Sequence, residues 1–248
     1  MRQKHPYPRT MPESACRRIL SQPLCFGAMM VRKGDAHGMV AGIAHPTDEV
    51  IMASELIIGL KQGIGLPSSF YLMDIPGFAG SQGNLLVFAD PAINPDPGPE
   101  QLADIAVATA MSTRELLGWE PRVALLSFST KSSANHPNVD KVARAVDLAR
   151  KKAPGLLFDG EMQADAALVE AVARRKMMDT GAVEGRANIL VFPNLDAANI
   201  SSKLVQVLAG AKAYGPILQG FDRPVSDLSR GATVRDVAGA ALLVAARS

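Results

Sequence analysis

Val123-Ala-Leu-Leu-Ser127 runs into the polar loop Phe128-Ser-Thr-Lys-Ser-Ser-Ala-Asn135, and the chain from Val139 to Lys151 then carries a helical pattern. The short apolar run reads as a buried strand and the longer stretch after the loop as a helix. The same unit recurs downstream. Gly155 to Phe158 reads as a strand before a helix over Ala164 to Arg175. Asn188 to Phe192 reads as a strand before a helix over Ala197 to Leu208. Tyr214 to Leu218 and Val234 to Ala246 close the series. Alternation of apolar strands with helices predicts an α/β fold, with a parallel sheet covered on both faces.

Upstream the pattern is less regular. Residues 1–12 hold Pro6, Pro8 and Pro12 and read as a loop. Helices are expected from Pro12 to Leu20 and from Leu24 to Arg32, with a short strand over Met39 to Ala44. Helical spacing returns from Thr47 to about Lys61, with Val50, Ile51, Ser54, Ile57 and Ile58 along one side. Gly63, Gly65 and Pro67 interrupt it. Strands follow at Phe70 to Ile75 and Leu85 to Ala89. The proline-rich loop Asp90 to Pro99 then feeds a long helix from Glu100 to Leu117.

The bulk numbers narrow the function. A chain of 248 residues, 48% hydrophobic and 20% charged, can bury a substantial core as one large or two modest domains. A net charge of +2 argues against a nucleic-acid surface but allows a local basic cleft. No apolar run is long enough to cross a membrane, and the polar N-terminus lacks a signal-peptide core, so a cytoplasmic protein is expected. Cys16 and Cys25 have no metal-ligand companions, and the four histidines form no His-x3-His pair, so no metal site is expected. Gly-x-Gly-x-x-Gly, Walker and Gly-x-Ser-x-Gly motifs are all missing, and no tightly bound cofactor is expected.

Candidate site residues lie where open α/β sheets place ligands, beyond the strand carboxyl ends. Ser127, Ser129, Thr130 and Lys131 can surround a phosphate with hydroxyls, backbone N–H groups and one cation; the same residues also make a plain polar turn. Leu157-Phe-Asp-Gly160 continuing into Glu161-Met-Gln163, and Phe192-Pro-Asn-Leu-Asp196 continuing to Asn199, put carboxylates and amides at two further strand ends. Such residues also serve as helix caps. In Pro224-Val-Ser-Asp-Leu-Ser-Arg-Gly-Ala-Thr-Val-Arg-Asp236, an arginine and a carboxylate stand six residues apart with Ser229 and Thr233 beside them. Arg230 offers a donor fork to phosphate oxygens and Asp236 a general base. The competing reading makes Asp227 the cap of a short turn that Gly231 ends, and Thr233 to Asp236 a capping box.

Taken in order, several stretches resemble the phosphate acetyltransferase (phosphotransacetylase) family. They are Met29-Met-Val-Arg-Lys-Gly-Asp35, Ala41-Gly-Ile-Ala-His45, Phe88-Ala-Asp90, Pro121-Arg-Val-Ala-Leu-Leu-Ser-Phe-Ser-Thr-Lys131, Asp159-Gly-Glu-Met-Gln-Ala-Asp-Ala166, Ala187-Asn-Ile-Leu-Val-Phe-Pro-Asn-Leu195, Tyr214-Gly-Pro-Ile-Leu-Gln-Gly220 and Pro224-Val-Ser-Asp-Leu-Ser-Arg-Gly231. The resemblance covers about residues 13–247. It implies two α/β domains with mainly parallel sheets and a cleft between them, in a phosphotransacetylase-like, isocitrate/isopropylmalate-dehydrogenase-like fold. Residues 1–62 plus 219–248 would form the first domain and residues 63–218 the second.

The resemblance also implies reversible acetyl transfer between coenzyme A and phosphate by direct thiolate attack, in a homodimer. Coenzyme A, acetyl-CoA, phosphate and acetyl phosphate would be the substrates, with no nucleic acid or membrane partner. Asp236 matches the base, and Ser229 and Arg230 match the residues that hold the acyl phosphate. Ser127, Ser129, Thr130, Lys131 and Asn199 are the expected substrate contacts. Two departures from the family pattern stand out. Met52 occupies a position that is often arginine, and the family's opening strand–helix unit has no counterpart here, which leaves the first domain N-terminally incomplete. Two alternatives follow: a non-catalytic module that binds coenzyme A esters, and an acyltransferase for propanoyl or butanoyl groups.

Overall fold

Proline starts and glycine ends several elements, and the apolar spacing between those marks decides which face each one buries. The computed structural model describes residues 11–177, 181–228 and 230–247. The chain divides into two compact units, Met1–Pro67 with Gly220–Ser248, and Ser68–Gln219.

The first unit opens with α1 (Glu13–Leu20), entered from Pro12. Its Glu13–Arg17 pair closes at 2.7 Å on the exposed side, worth a few tenths of a kcal/mol (about 0.2–0.5). Pro23 begins α2 (Pro23–Lys33), and Gly34, left-handed, ends it. Cys25, Ala28 and Val31, three residues apart, form its buried stripe. Strand β1 (Met39–Ala41) and helix α3 (Thr47–Ile57) follow, with Val50, Ala53 and Ser54 buried on α3.

The second unit is built on one six-stranded sheet. Its elements are β2 (Ser68–Asp74), β3 (Leu85–Ala89), α4 (Pro99–Leu117), β4 (Arg122–Leu126), α5 (Pro137–Lys152), β5 (Leu157–Met162), α6 (Ala164–Leu168), α7 (Glu170–Lys176), β6 (Ile189–Val191), α8 (Leu195–Leu208) and β7 (Lys212–Gln219). The strand order is β5-β4-β6-β3-β2-β7. β3–β6, β4–β6 and β4–β5 are parallel, while β2 runs antiparallel to both β3 and β7.

Strand side chains alternate between faces. Leu86, Phe88, Ala124, Leu126 and Leu190 join Ala167, Ala173 and Ala198 of α6, α7 and α8 in one core. In that core the Phe88 and Phe192 rings lie 5.1 Å apart. The alternate residues Val87, Ala89, Val123, Leu125, Ile189 and Val191 are equally buried. By the alternation they face the opposite side, where α4 packs across the strands and α5 packs beside α4.

The chain then returns to the first unit with β8 (Val225–Asp227) and α9 (Val234–Ala245). β8 pairs in parallel with β1, Met39 opposite Val225 and Ala41 opposite Asp227. Ala240 and Val244, four apart on α9, are buried where that helix packs on both strands.

An α/β fold with mainly parallel strand pairing is therefore present, with four corrections in detail. β2 is reversed against the parallel core, and β7 beyond it runs in the core's own direction. β5 does not stop at Phe158 but continues to Met162, carrying Asp159 and Glu161 into the sheet. The helix expected over Ala164 to Arg175 is two helices, because Val169 is extended (φ −126°). Asp227 is not a turn cap; it ends a strand that three residues, two of them polar, did not announce.

Candidate active site

The stretch with the expected catalytic residues lies in the first unit. Ser229 falls outside the described residues. Arg230 is exposed in the turn before α9, and Asp236 is exposed in that helix's first turn. Thr233 is the N-cap. Its backbone N–H and its hydroxyl both donate to Asp236 Oδ2 at 2.8 Å, and its hydroxyl oxygen accepts from the Asp236 N–H at 3.3 Å. This is a reciprocal capping box. Thr233's backbone and side-chain bonds, with Arg235 adding a smaller pull, hold the Asp236 carboxyl below the usual carboxylate range. In this state Asp236 is an ionised acceptor at a helix N-terminus, where the helix dipole also favours it. A cavity of about 410 Å³ elsewhere in the unit is lined by Ile19, Leu20, Met29, Leu56 and Ile57 with Cys16 and Arg32; neither Arg230 nor Asp236 borders it. Met52 is 52% exposed on α3.

The second unit holds the other candidates, and here the loop after β4 is organised around a carboxylate of its own. Glu161 is 3% exposed, and a buried charge must be hydrogen-bonded. Its Oε1 accepts the Ser129 hydroxyl at 2.8 Å and the Ser132 N–H at 2.7 Å. Its backbone carbonyl accepts the Lys131 N–H at 3.0 Å. Ser129 Oγ also accepts from Ala134 N–H at 3.2 Å. The Thr130 hydroxyl bonds Gln163, accepting its N–H at 3.1 Å and donating to Oε1 at 3.3 Å. Ser127 donates its N–H to the Met162 carbonyl at 2.9 Å, and its Oγ accepts the Ser129 N–H at 3.2 Å.

Lys131 is spent in part as well. Its Nζ donates to Asp159 Oδ1 at 2.5 Å and to the Gly160 carbonyl at 3.1 Å. The Asp159 side chain is fully buried and also meets Arg150 Nη2 at 3.4 Å. An anion at this loop would find the Ser127 hydroxyl and the third Lys131 N–H as donors. The Ser129, Thr130 and Ser133 hydroxyls hold the loop's shape. Asn199 on α8 is half-buried and donates to the Pro91 carbonyl at 3.1 Å, tying the helix to the loop after β3.

That loop has a second organising carboxylate. Asp90, 4% exposed, accepts from the Ser69 N–H and hydroxyl, from the N–H groups of Ala92, Ile93 and Asn94, and from the Asn94 amide. Burial pushes its carboxyl up, against the Ser69 and Asn94 bonds that pull it down. Glu161 and Asp90 carried little signal as organisers in the sequence, because apart from the Asn94 amide their donors lie 21 to 32 residues away or in the backbone. Among the described residues no cluster of His, Cys, Asp or Glu is arranged to hold a metal, and no helix is long and apolar enough to cross a membrane.

Two units, each with polar loops at the carboxyl ends of parallel strands, define an α/β protein of the kind that presents small-molecule sites on loops. The chain belongs to the phosphate acetyl/butaryl transferase family, whose model matches residues 7–245. It is 48% identical over 212 residues to a phosphate acetyltransferase of Thermoanaerobacterium thermosaccharolyticum, covering 86% of this chain and 64% of the relative. It is 43% identical over 234 residues to one of Acetivibrio thermocellus, covering 94% of this chain and 70% of the relative. Among solved structures, a phosphotransacetylase of Streptococcus pyogenes superposes with a TM-score of 0.88 at 42% identity, over 94% of this chain and 69% of its own. The chain thus spans about two thirds of the length of these relatives.

Proposed function

We propose that the chain is a cytoplasmic phosphate acetyltransferase, moving an acetyl group reversibly between coenzyme A and phosphate. The observation that carries the reading is 43% identity over 234 residues to a relative named for that activity. In the direction of thioester synthesis, Asp236 takes the proton from the coenzyme A thiol. The thiolate attacks the carbonyl carbon of acetyl phosphate, the C–S bond forms, and the C–O bond to phosphate breaks. Ser229 and Arg230 hold the phosphoryl oxygens, and the Arg230 fork stabilises charge on the departing phosphate. Ser127 and Lys131 are proposed substrate contacts by direct donation. Ser129, Thr130 and Asn199 are proposed to act through the loops they hold.

Ionising a thiol of pKa about 8.5 at pH 7 costs roughly 2 kcal/mol. Asp236, held low by Thr233, is a weak base for that proton. To serve as the base it must shed water and its Thr233 hydrogen bonds as substrate binds, since either loss raises a carboxyl pKa. This lowered carboxyl, together with methionine at position 52, favours the second reading, a module that binds coenzyme A esters without turnover. Incubating the purified chain with acetyl phosphate and coenzyme A, and following thioester formation, separates the two. Binding of coenzyme A by calorimetry without any thioester would overturn the enzyme. Propanoyl and butanoyl phosphates belong in the same assay, since a methylene is worth only about 1–3 kcal/mol of discrimination.

The reading extends to a homodimer and to a domain division at residues 62/63 and 218/219. Support for the dimer comes from α8. Ile200, Leu204, Val207 and Leu208 are 56%, 52%, 80% and 80% exposed along one side of that helix. Asp196 is exposed at its start, and Lys203 and Lys212 are exposed toward and beyond its end. That charge pattern is complementary to a second copy of itself lying antiparallel, the arrangement a two-fold axis produces.

A further inference from the structure

Asp227, the last residue of β8, is built into its surroundings more closely than a strand end requires. It is 8% exposed. Its Oδ2 accepts the hydroxyl of Thr47, the first residue of α3, at 2.5 Å. Its Oδ1 is buried with no hydrogen-bond partner. That oxygen sits over Gly42, where a Cβ would approach it to 2.3 Å; Gly42 also has φ +117°, a conformation side chains disfavour. Burial pushes the carboxyl up, opposed by the Thr47 hydrogen bond.

Three stretches therefore meet at one carboxyl group: the exit of β8, the turn after β1, and the start of α3. Ala41 and Asp227 are register partners, so this is the carboxyl end of a parallel pair, where α/β sheets place their ligands. A half-satisfied buried carboxyl is costly, and an apolar residue would end the strand without that cost. Three residues further on stands Arg230, whose exposed side chain takes its direction from the backbone that leads to it. A guanidinium that must meet a phosphate as a fork depends on that backbone being fixed, because misplacement by about 1 Å can cost roughly 10²-fold in rate.

We propose that Asp227 and Thr47 form a positioning pair that fixes the chain leaving β8 and so aims Arg230 at the acyl phosphate. The inference rests on the acetyltransferase reading and on Arg230 binding phosphate, and it gives the pair a positioning role rather than a substrate contact.

The test is kinetic, on the full chain. Thr47→Val removes the hydroxyl at nearly constant shape, and Thr47→Ser restores it. Thr47→Val is expected to raise KM for acetyl phosphate about tenfold, a change of about 1.4 kcal/mol. KM for coenzyme A should stay within about twofold, and Thr47→Ser should return the wild-type value. Thr47→Ala, which needs no packing of an added methyl, carries the same expectation if the valine variant does not fold. In an Arg230→Ala background Thr47→Val should add nothing, because residues acting through one another are not additive. Equal changes in both KM values, no change in either, or additivity with Arg230→Ala would overturn the pair as a positioning device. A fully active Arg230→Ala variant would instead overturn the functional reading beneath it, and the inference with it.

Discussion

The proposed base role of Asp236 and its observed capping role pull its acidity in opposite directions. As the partner of Thr233 it is held ionised and low; as a base it must accept a thiol proton. Asp236→Asn keeps an oxygen for the Thr233 N–H but cannot take a proton. We expect kcat to fall by about 10²- to 10⁴-fold, with coenzyme A affinity by calorimetry within about twofold of wild type. Unchanged kcat would remove Asp236 from the base role. The same residue and Asp90 have opposite linkage to pH. Asp236, lowered in the folded chain, supports stability above its unfolded pKa of about 3.9, and that support is lost as pH falls through the folded value. Asp90 is raised by burial, so the folded chain holds its proton longer than the unfolded one. Its contribution to stability therefore declines as pH rises from about 4 through the folded value. Asp90→Asn should lower the urea midpoint at every pH, since it trades an acceptor oxygen for an amide facing N–H donors. It should also flatten the decline with pH; a slope equal to wild type would assign that decline to another group.

At the scale of elements, the loop after β4 shows why a sequence can indicate a site without giving its wiring. Ser127 to Lys131 was legible as a polar loop at a strand end, since composition and the preceding apolar run suffice for that. That Ser129 and Ser132 turn inward to Glu161 was not legible, because the pairing spans the whole of α5 and most of β5. Glu161→Ala should strand two donors in a buried loop and lower the unfolding free energy by about 3 kcal/mol, measured in urea, with Glu161→Gln intermediate. A loss near zero would mean the loop closes without the carboxylate. The alternation of strands and helices was readable for the same local reason: apolar runs and helical spacing repeat at short range. Strand direction is not local, so nothing in Phe70 to Ile75 told that β2 runs against both its neighbours, β3 and β7. β8 escaped because Ser226 and Asp227 break the apolar signal in a three-residue strand, and for Asp227 the reason lies across the chain in Thr47 and Gly42. The capping box at Thr233 to Asp236 was legible because both partners sit within one helical turn.

At the scale of the molecule, the unsettled account is what α8 does with its outer side. Monomers rarely carry a contiguous apolar patch beyond about 300–600 Å², and four aliphatic side chains half to four-fifths exposed on one helix approach that limit. A standard interface buries about 800 Å² on each partner and has an apolar core with a charged rim. Ile200, Leu204, Val207 and Leu208 would supply that core, and Asp196, Lys203 and Lys212 the rim. Sedimentation of the purified chain should give twice the 26.2 kDa chain mass. Leu204→Glu should return it to the single-chain mass, because the new carboxylate would be desolvated against the apolar side of a second copy. Position 204 is exposed and glutamate is a good helix former, so the far-ultraviolet circular dichroism of the variant should match wild type. That control separates loss of association from loss of fold. A wild-type chain at single mass would show that α8 needs no second copy, and an undiminished dimer in the variant would move the interface to another surface.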